Sequence, residues 1–162
     1  AGGTQPVTDL SPLREGKSFT YEGGIREPLI VLAPGLTPAG AVCEAPTINM
    51  DFYPTLLELA GVAAETDGPL DGVSLVPALR GQPDMGRELY WHYPHDHFLG
   101  GRASDVILKD GRKLVRFLHE DRCELYDLGA DISEQRDLSG EMPDVTRDLA
   151  ARLAAWRRSM SP

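Results

Sequence analysis

The 162 residues carry 16 Lys and Arg against 25 Asp and Glu, a formal net charge of −9. That balance excludes a chain built around a basic surface for nucleic acid or an anionic membrane. Hydrophobic residues at 41% and charged residues at 25% are those of an ordinary globular protein, and no apolar run reaches the roughly 18–20 residues of a membrane span.

Residues 1–28 hold few apolar positions and many Gly, Pro, Ser and Thr, and read as a long loop. Leu29-Ile30-Val31-Leu32-Ala33 is a continuous apolar run stopped by Pro34-Gly35. Unbroken hydrophobicity predicts a strand buried on both faces. A second loop follows, and then a helix over 47–60. Asp51 stands where an N-cap is expected, Pro54 falls in the first turn, and Leu56, Leu57, Leu59 and Ala60 supply an apolar face before Gly61. Residues 62–73 are acidic and rich in turn formers, and Ser74 to Arg80 predicts a short helix closed by Gly81.

The period changes after Arg87. Glu88 to Tyr93 is aromatic and strand-like. Asp105–Lys109 and Arg112–Leu118 flank Asp110-Gly111, a two-residue link whose positive φ requirement marks a hairpin. Glu124 to Leu128 adds a further strand, so an antiparallel meander is expected. From Pro143, the positions Val145, Leu149, Leu153, Trp156 and Met160 recur at helical spacing and define one face of a C-terminal helix. The fold class expected is α+β: about four antiparallel strands with a long C-terminal helix over 83–162, and over 1–82 the edge of a larger α/β sheet.

Three segments carry candidate chemistry. Gly16-Lys17-Ser18 ends like a phosphate loop, but Ser11 stands where that motif needs Gly, and no buried strand precedes it. The cations of Pro12-Leu13-Arg14-Glu15-Gly16-Lys17 and the glycines of Glu22-Gly23-Gly24-Ile25-Arg26 nevertheless suit an oxyanion, since glycine admits close backbone approach and lysine offers a compact charge. Glu22 and Arg26 are expected to pair and hold the loop's shape. His92-Tyr93-Pro94-His95-Asp96-His97 places three His and one Asp within six residues. A transition-metal site is one reading, weakened because no partner Cys or His stands at zinc-like spacing. Contact of His95 or His97 with a substrate is another.

Pro-Leu-Arg-x-Gly-Lys, four residues, then Glu-Gly-Gly-x-Arg-x-Pro resembles the sulfatase family of the alkaline phosphatase superfamily. The likeness continues in order through Pro28-Leu29-Ile30-Val31, Asp51 to Gly61, Leu70 to Leu75, Asp110 to Val115 and Glu124-Leu125-Tyr126-Asp127-Leu128. It implies a hydrolase of sulfate esters in which the lysine of the Gly-Lys block, here Lys17, contacts the sulfate, with Arg14, His95 and His97 as further substrate-binding candidates. It also implies a formylglycine nucleophile made from Cys or Ser in a Cys/Ser-x-Pro-x-Arg motif, and a Ca²⁺ or similar divalent ion held by paired Asp and Asn residues. Cys43, followed by Glu44-Ala45-Pro46, and Cys123, followed by Glu124-Leu125-Tyr126, do not match that motif. The opening Ala1-Gly2-Gly3 matches the stretch just after the family's Asp-Asn pair.

The expectation is therefore a C-terminal fragment of a sulfatase, inactive by itself, with no metal ligand of its own. No signal peptide is read at its start, and a periplasmic or secreted parent is compatible with it. The substrate class is a sulfate ester, either a small molecule or a glycan, with no nucleic acid or membrane partner. Two other readings stay open, a related phosphate or phosphonate ester hydrolase and a non-catalytic module that binds sulfated glycan. An isolated α/β edge would leave Leu29–Ala33 and Leu56–Ala60 exposed, so self-association of the fragment, as a dimer or swapped assembly, is expected.

Overall fold

Four antiparallel strands follow one another in space as they do in the chain, giving the sheet order β1-β2-β3-β4. The structure is a computed structural model that describes residues 8–63, 68–82 and 86–160. The opening Ala1-Gly2-Gly3 and residues 64–67 of the acidic stretch lie outside the described residues. The strands are β1 (Leu89–Tyr93), β2 (Ser104–Lys109), β3 (Arg112–Phe117) and β4 (Cys123–Asp127). The β2–β3 connection is the expected hairpin. Asp110 and Gly111 adopt φ of 49° and 72°, and Lys109 faces Arg112 across the turn.

The helices are α1 (Glu22–Ile25), α2 (Phe52–Ala60), α3 (Val76–Leu79) and α4 (Pro143–Ser159). Among the described residues no helix is long and apolar enough to cross a membrane. The chain divides into two units. Residues 1–27 and 87–162 form one, and residues 28–86 form the other. This differs from the division at residue 82 expected from texture. The N-terminal loop belongs with the antiparallel sheet rather than with the segment that follows it.

The reason is visible in the two faces of the sheet. Alternation along β2, β3 and β4 sends Ile107, Leu114 and Leu125 to one face, where Leu149 and Leu153 of α4 cover them. The same alternation sends Val106, Val115, Phe117 and Tyr126 to the other face. There Tyr21 is buried against them, and Phe19 packs alongside. The first unit is thus loop, sheet and helix in three layers, and the centre of the sheet is buried on both sides.

Tyr90 of β1 stacks on Trp156 of α4, with ring centroids 4.8 Å apart and 7° between planes. Burial, then its hydrogen bond to Glu88 and that group's charge, push the Tyr90 phenol up to about 12. Of the face predicted for α4, Leu149 and Leu153 are buried, Val145 and Trp156 partly so, and Met160 is exposed.

The second unit corrects two sequence expectations. Leu29–Ala33 forms no strand, and its side chains are open to solvent, with Ile30 93% and Leu32 86% exposed. The run has the composition of a covered strand, but no described neighbour pairs with its backbone in a ladder. The helix over 47–60 starts later than expected, as a 3₁₀ turn over Asn49–Asp51 followed by α2, and Leu56 and Leu59 are exposed. Asp51 is not the side-chain cap of α2. It is fully buried, and its carboxylate accepts the N–H of Ile48 at 2.8 Å and of Val73 at 3.0 Å. Thr55 extends the same tie, donating to the Asp51 carbonyl at 2.5 Å and accepting the Leu75 N–H at 2.8 Å. Two buried side chains therefore bind the 70–75 segment to the start of α2.

Candidate functional site

The loop carrying Lys17 is closed on itself. The Gly23 N–H donates to the Arg14 carbonyl at 2.9 Å, Phe19 N–H to the Gly16 carbonyl at 3.1 Å, and Gly24 N–H to the Tyr21 carbonyl at 2.8 Å. Glycine is required at 23 and 24. A Cβ at Gly23 would lie 2.3 Å from the Glu15 carbonyl oxygen, and one at Gly24 would lie 2.0 Å from that of Phe19. Glu15 and Ser18, on either side of Gly16-Lys17, take left-handed φ of 59° and 82°, a conformation that non-glycine residues seldom hold without support. On this tight ring Lys17 is exposed and makes no ion pair with any described residue. A desolvated, paired lysine has no charge to spare for a ligand, whereas this one does.

The histidine segment ends against the same ring. The loop after β1 turns through bonds from His97 N–H to the Gly101 carbonyl at 2.8 Å and from Gly100 N–H to the His97 carbonyl at 2.9 Å. Asp96 fixes its return by accepting the Ala103 N–H at 2.9 Å. Gly101 lies so close to Ser18 that a Cβ there would fall 1.6 Å from the Ser18 carbonyl oxygen. Lys17 and the loop bearing His95 and His97 are therefore neighbours. His95 is exposed, with its ring 4.8 Å from that of Tyr93. His97 is half-buried. Its Nδ1 accepts the Leu99 N–H at 3.2 Å, and its ring lies 4.4 Å from that of Phe98.

His92 does not join them. Its Nδ1 lies 2.5 Å from Asp105 Oδ1, and Arg157 of α4 approaches the other oxygen of the same carboxylate at 3.4 Å, placing the pair on the helix side of the sheet. Among the described residues no three His, Cys, Asp or Glu side chains gather so as to hold a metal ion. The residues present do not fit the cage of six to eight oxygens that Ca²⁺ takes. Cys43 is exposed in the second unit, and burial pushes the thiol of half-buried Cys123 up.

Arg14 is engaged inside the protein. Its guanidinium lies 3.8 Å from the Tyr21 ring centroid and donates to the Tyr126 hydroxyl at 2.9 Å and the Glu134 carbonyl at 2.8 Å. Tyr21 and Tyr126 both donate to Glu124 Oε2 at 2.7 Å, and Arg122 pairs with the other oxygen of that carboxylate. Burial, then bonding to Glu124 and its charge, hold both phenols above the ordinary tyrosine value. A phenol raised in the folded state favours folding fully below the unfolded value of about 10, and that contribution is lost progressively as pH rises from there toward the higher folded value. Urea unfolding should therefore show stability falling between pH 9 and pH 11, and a Tyr21→Phe/Tyr126→Phe chain should show a shallower fall. Equal slopes would contradict the linkage.

The expected Glu22–Arg26 pair is present at 3.1 Å, but it is the rim of something larger. Lys113, fully buried on β3, donates to Glu22 Oε1 at 2.9 Å and lies 2.8 Å from Oε1 of the fully buried Glu134. The latter contact is an ion pair without the direction of a hydrogen bond. Glu134 Oε2 accepts the Glu22 N–H at 2.6 Å. Burial raises the Glu134 carboxyl, while Lys113 and the Glu22 N–H act against that rise. Neither Lys113 nor Glu134 was singled out as a site residue from the sequence. One signal did exist, because alternation along Arg112-Lys113-Leu114-Val115-Arg116-Phe117 puts Lys113 on the face of Val115 and Phe117.

This fold and this loop match one family throughout. The model of the N-sulphoglucosamine sulphohydrolase C-terminal family matches residues 15–159. A "Sulfatase" of Formosa agariphila is 36% identical over 96% of this chain and 31% of its own length. Arylsulfatase D of Homo sapiens is 42% identical over 88% of the chain and 29% of its own length. Among solved structures, Ps i-CgsB in complex with k-i-k-neocarrahexaose superposes with a TM-score of 0.76 at 27% identity, over 90% of this chain and 32% of that one. A structure described as in complex with its substrate D-glucosamine-2-N,6-O-disulfate gives 0.62 at 29% identity, over 77% of this chain and 26% of that one. The chain belongs to the sulfatase family, as a C-terminal domain of it. It spans about a third of the length of these two relatives.

Proposed function

We propose that this chain is the C-terminal part of a sulfuric-ester hydrolase and supplies Lys17 to its sulfate site. The observation that carries the proposal is an exposed lysine without an ion pair to any described residue, held on a ring of backbone hydrogen bonds beside a loop of exposed aromatic and imidazole side chains. An ammonium group fixed there offsets charge on the sulfuryl oxygens as the ester bond breaks, and its orientation is set before the substrate arrives. His95 and His97 stand on the neighbouring loop, where imidazole N–H groups donate to sulfate or sugar hydroxyl oxygens. Arg14, committed to Tyr126 and Glu134, serves this site by holding the loop. The nucleophile and the divalent ion that the family resemblance implies belong, in this proposal, to the rest of the protein.

Two similar structures hold a neocarrahexaose and a glucosamine disulfate, and on that support we assign a sulfated carbohydrate as the substrate class. The direct test is release of inorganic sulfate by the full-length product from a panel of sulfated sugars. Release from at least one member is the expected result. No release from any member, together with phosphate release from the matching phosphate esters, would contradict the proposal.

The exposed run Leu29–Ala33 belongs to the same picture. In the longer protein it would lie against polypeptide outside this chain, and in the 162-residue chain it is free to pair with a second copy. Light scattering should find the isolated chain dimeric or larger at tens of micromolar, and Ile30→Ser/Leu32→Ser should return it to a monomer. A wild-type monomer at that concentration would remove the expectation.

A further inference from the structure

We propose that the buried Glu22–Lys113–Glu134 cluster is a clamp that fixes the Lys17 ring in one conformation, and that Glu134 is a positioning residue for the sulfate site. The inference rests on the reading of Lys17 given above. The ring, residues 14–24, is held to the rest of its unit from two sides by the same short turn after β4. At one end the Arg14 guanidinium donates to the Glu134 main-chain carbonyl. At the other end the Glu134 side chain accepts the Glu22 N–H, one residue before the glycine that closes the ring onto Arg14. A single residue thus grips both ends of the ring, its carbonyl binding one end and its carboxylate the other.

Glu134 is itself held in an uncommon state. Its φ is 51°, in the left-handed region, and its side chain is wholly buried. A non-glycine residue persists in that conformation only where its surroundings fix it, and such positions cluster at functional sites. Asp131 supplies part of the support. Its carbonyl accepts the Glu134 N–H at 3.2 Å, and its Oδ2 accepts the N–H of Gln135 at 2.8 Å and of Arg136 at 2.9 Å. Lys113 supplies the rest by standing between the two carboxylates. A cluster of this kind is a poor source of net stability, because removing ions from water costs about as much as their attraction returns. What it does provide is geometry, since one buried ammonium stands 2.9 Å from Glu22 and 2.8 Å from Glu134 and so fixes the two carboxylates relative to each other. The Lys17 ring needs that, because none of its three closing bonds lies inside a helix or strand longer than four residues.

The test is made in the full-length product with Glu134→Ala and Glu134→Gln. Glutamine retains an oxygen for the Glu22 N–H, and alanine retains none. Amide hydrogen exchange is read at Phe19, Gly23 and Gly24 relative to Val106, Val115 and Leu125 in the sheet. The alanine variant is expected to raise the ring-to-sheet ratio tenfold or more, and glutamine to bring it back within about threefold of the parent. Hydrolysis of 4-nitrophenyl sulfate is then measured in a cycle with Lys17→Ala. Both Glu134 variants are expected to lower kcat/KM in the parent background and to lower it no further once Lys17 is gone. Should the alanine variant not fold, glutamine alone carries the cycle. Uniform acceleration of exchange at ring and sheet, or losses that multiply in the double variants, would overturn the clamp. Unchanged hydrolysis by Lys17→Ala would instead overturn the reading of Lys17 and with it the positioning role of Glu134, leaving the exchange ratio to decide the clamp by itself.

Discussion

Replacing Lys113 with methionine is expected to lower the free energy of unfolding by about 3–5 kcal/mol at neutral pH, because two buried carboxylates would lose the cation between them. Lys113 is fully buried, 2.9 Å from Glu22 and 2.8 Å from Glu134. Arg26 reaches only the outer oxygen of Glu22, and nearly half of its own side chain is exposed, so it does not substitute. Against the 5–15 kcal/mol by which domains are commonly stable, the loss is large.

The loss carries a pH signature. Unpaired buried carboxyls have folded values raised above the unfolded value of about 4.3. The folded state then holds protons that the unfolded state has released, so stability is greatest below that value and falls as pH rises. Glu134 is already raised in the native protein, and methionine at 113 removes the charge that opposes the rise. Urea titrations should find the variant's deficit shrinking from pH 7 toward pH 4. A deficit that stays constant with pH, or one below about 1 kcal/mol, would mean that the cluster is hydrated or rearranged.

The second large effect falls on activity. In the full-length product, Lys17→Ala is expected to lower kcat for sulfate-ester hydrolysis by about 10²–10³, the range for removing one preorganised donor from a developing anion. Stability should move by no more than about 0.5 kcal/mol, as at other surface positions, since the side chain is exposed and pairs with no described residue. Lys17→Arg should recover only part of the loss. The guanidinium is longer and planar and does not place its charge where the compact ammonium does. A loss of stability equal to the loss of activity would reassign Lys17 to the fold.

Lys17 and Glu134 show what one dimension of sequence conveys. The meander, its Asp110-Gly111 turn and the Leu149/Leu153 face of α4 follow from patterns only a few residues long, and they stand in the structure much as the sequence describes them. Lys17, the residue proposed to contact sulfate, stands out through the resemblance of its Gly-Lys block to the sulfatase family. Glu134 does not stand out, because its partners Arg14, Glu22 and Lys113 lie 120, 112 and 21 residues away, and no local pattern encodes a pairing at such distances.

Leu29–Ala33 failed for a different reason. An unbroken apolar run states that a segment is to be covered but not by what, and no described strand pairs with it. Asp51 shows a third case. The N-cap reading chose the nearest donors, whereas the buried carboxylate serves Ile48 and, 22 residues away, Val73. Short-range rules rank the local partner first, and burial then selects the one that leaves fewest backbone groups unsatisfied.

The proposal that this domain supplies a sulfate contact to its enzyme is tested most directly by a crystal structure of the full-length product with inorganic sulfate bound. A sulfate oxygen within about 2.7–3.2 Å of Lys17 Nζ, with the 14–24 ring closed, is the expected result. Sulfate bound in the catalytic site, with Lys17 turned away into solvent, would contradict it.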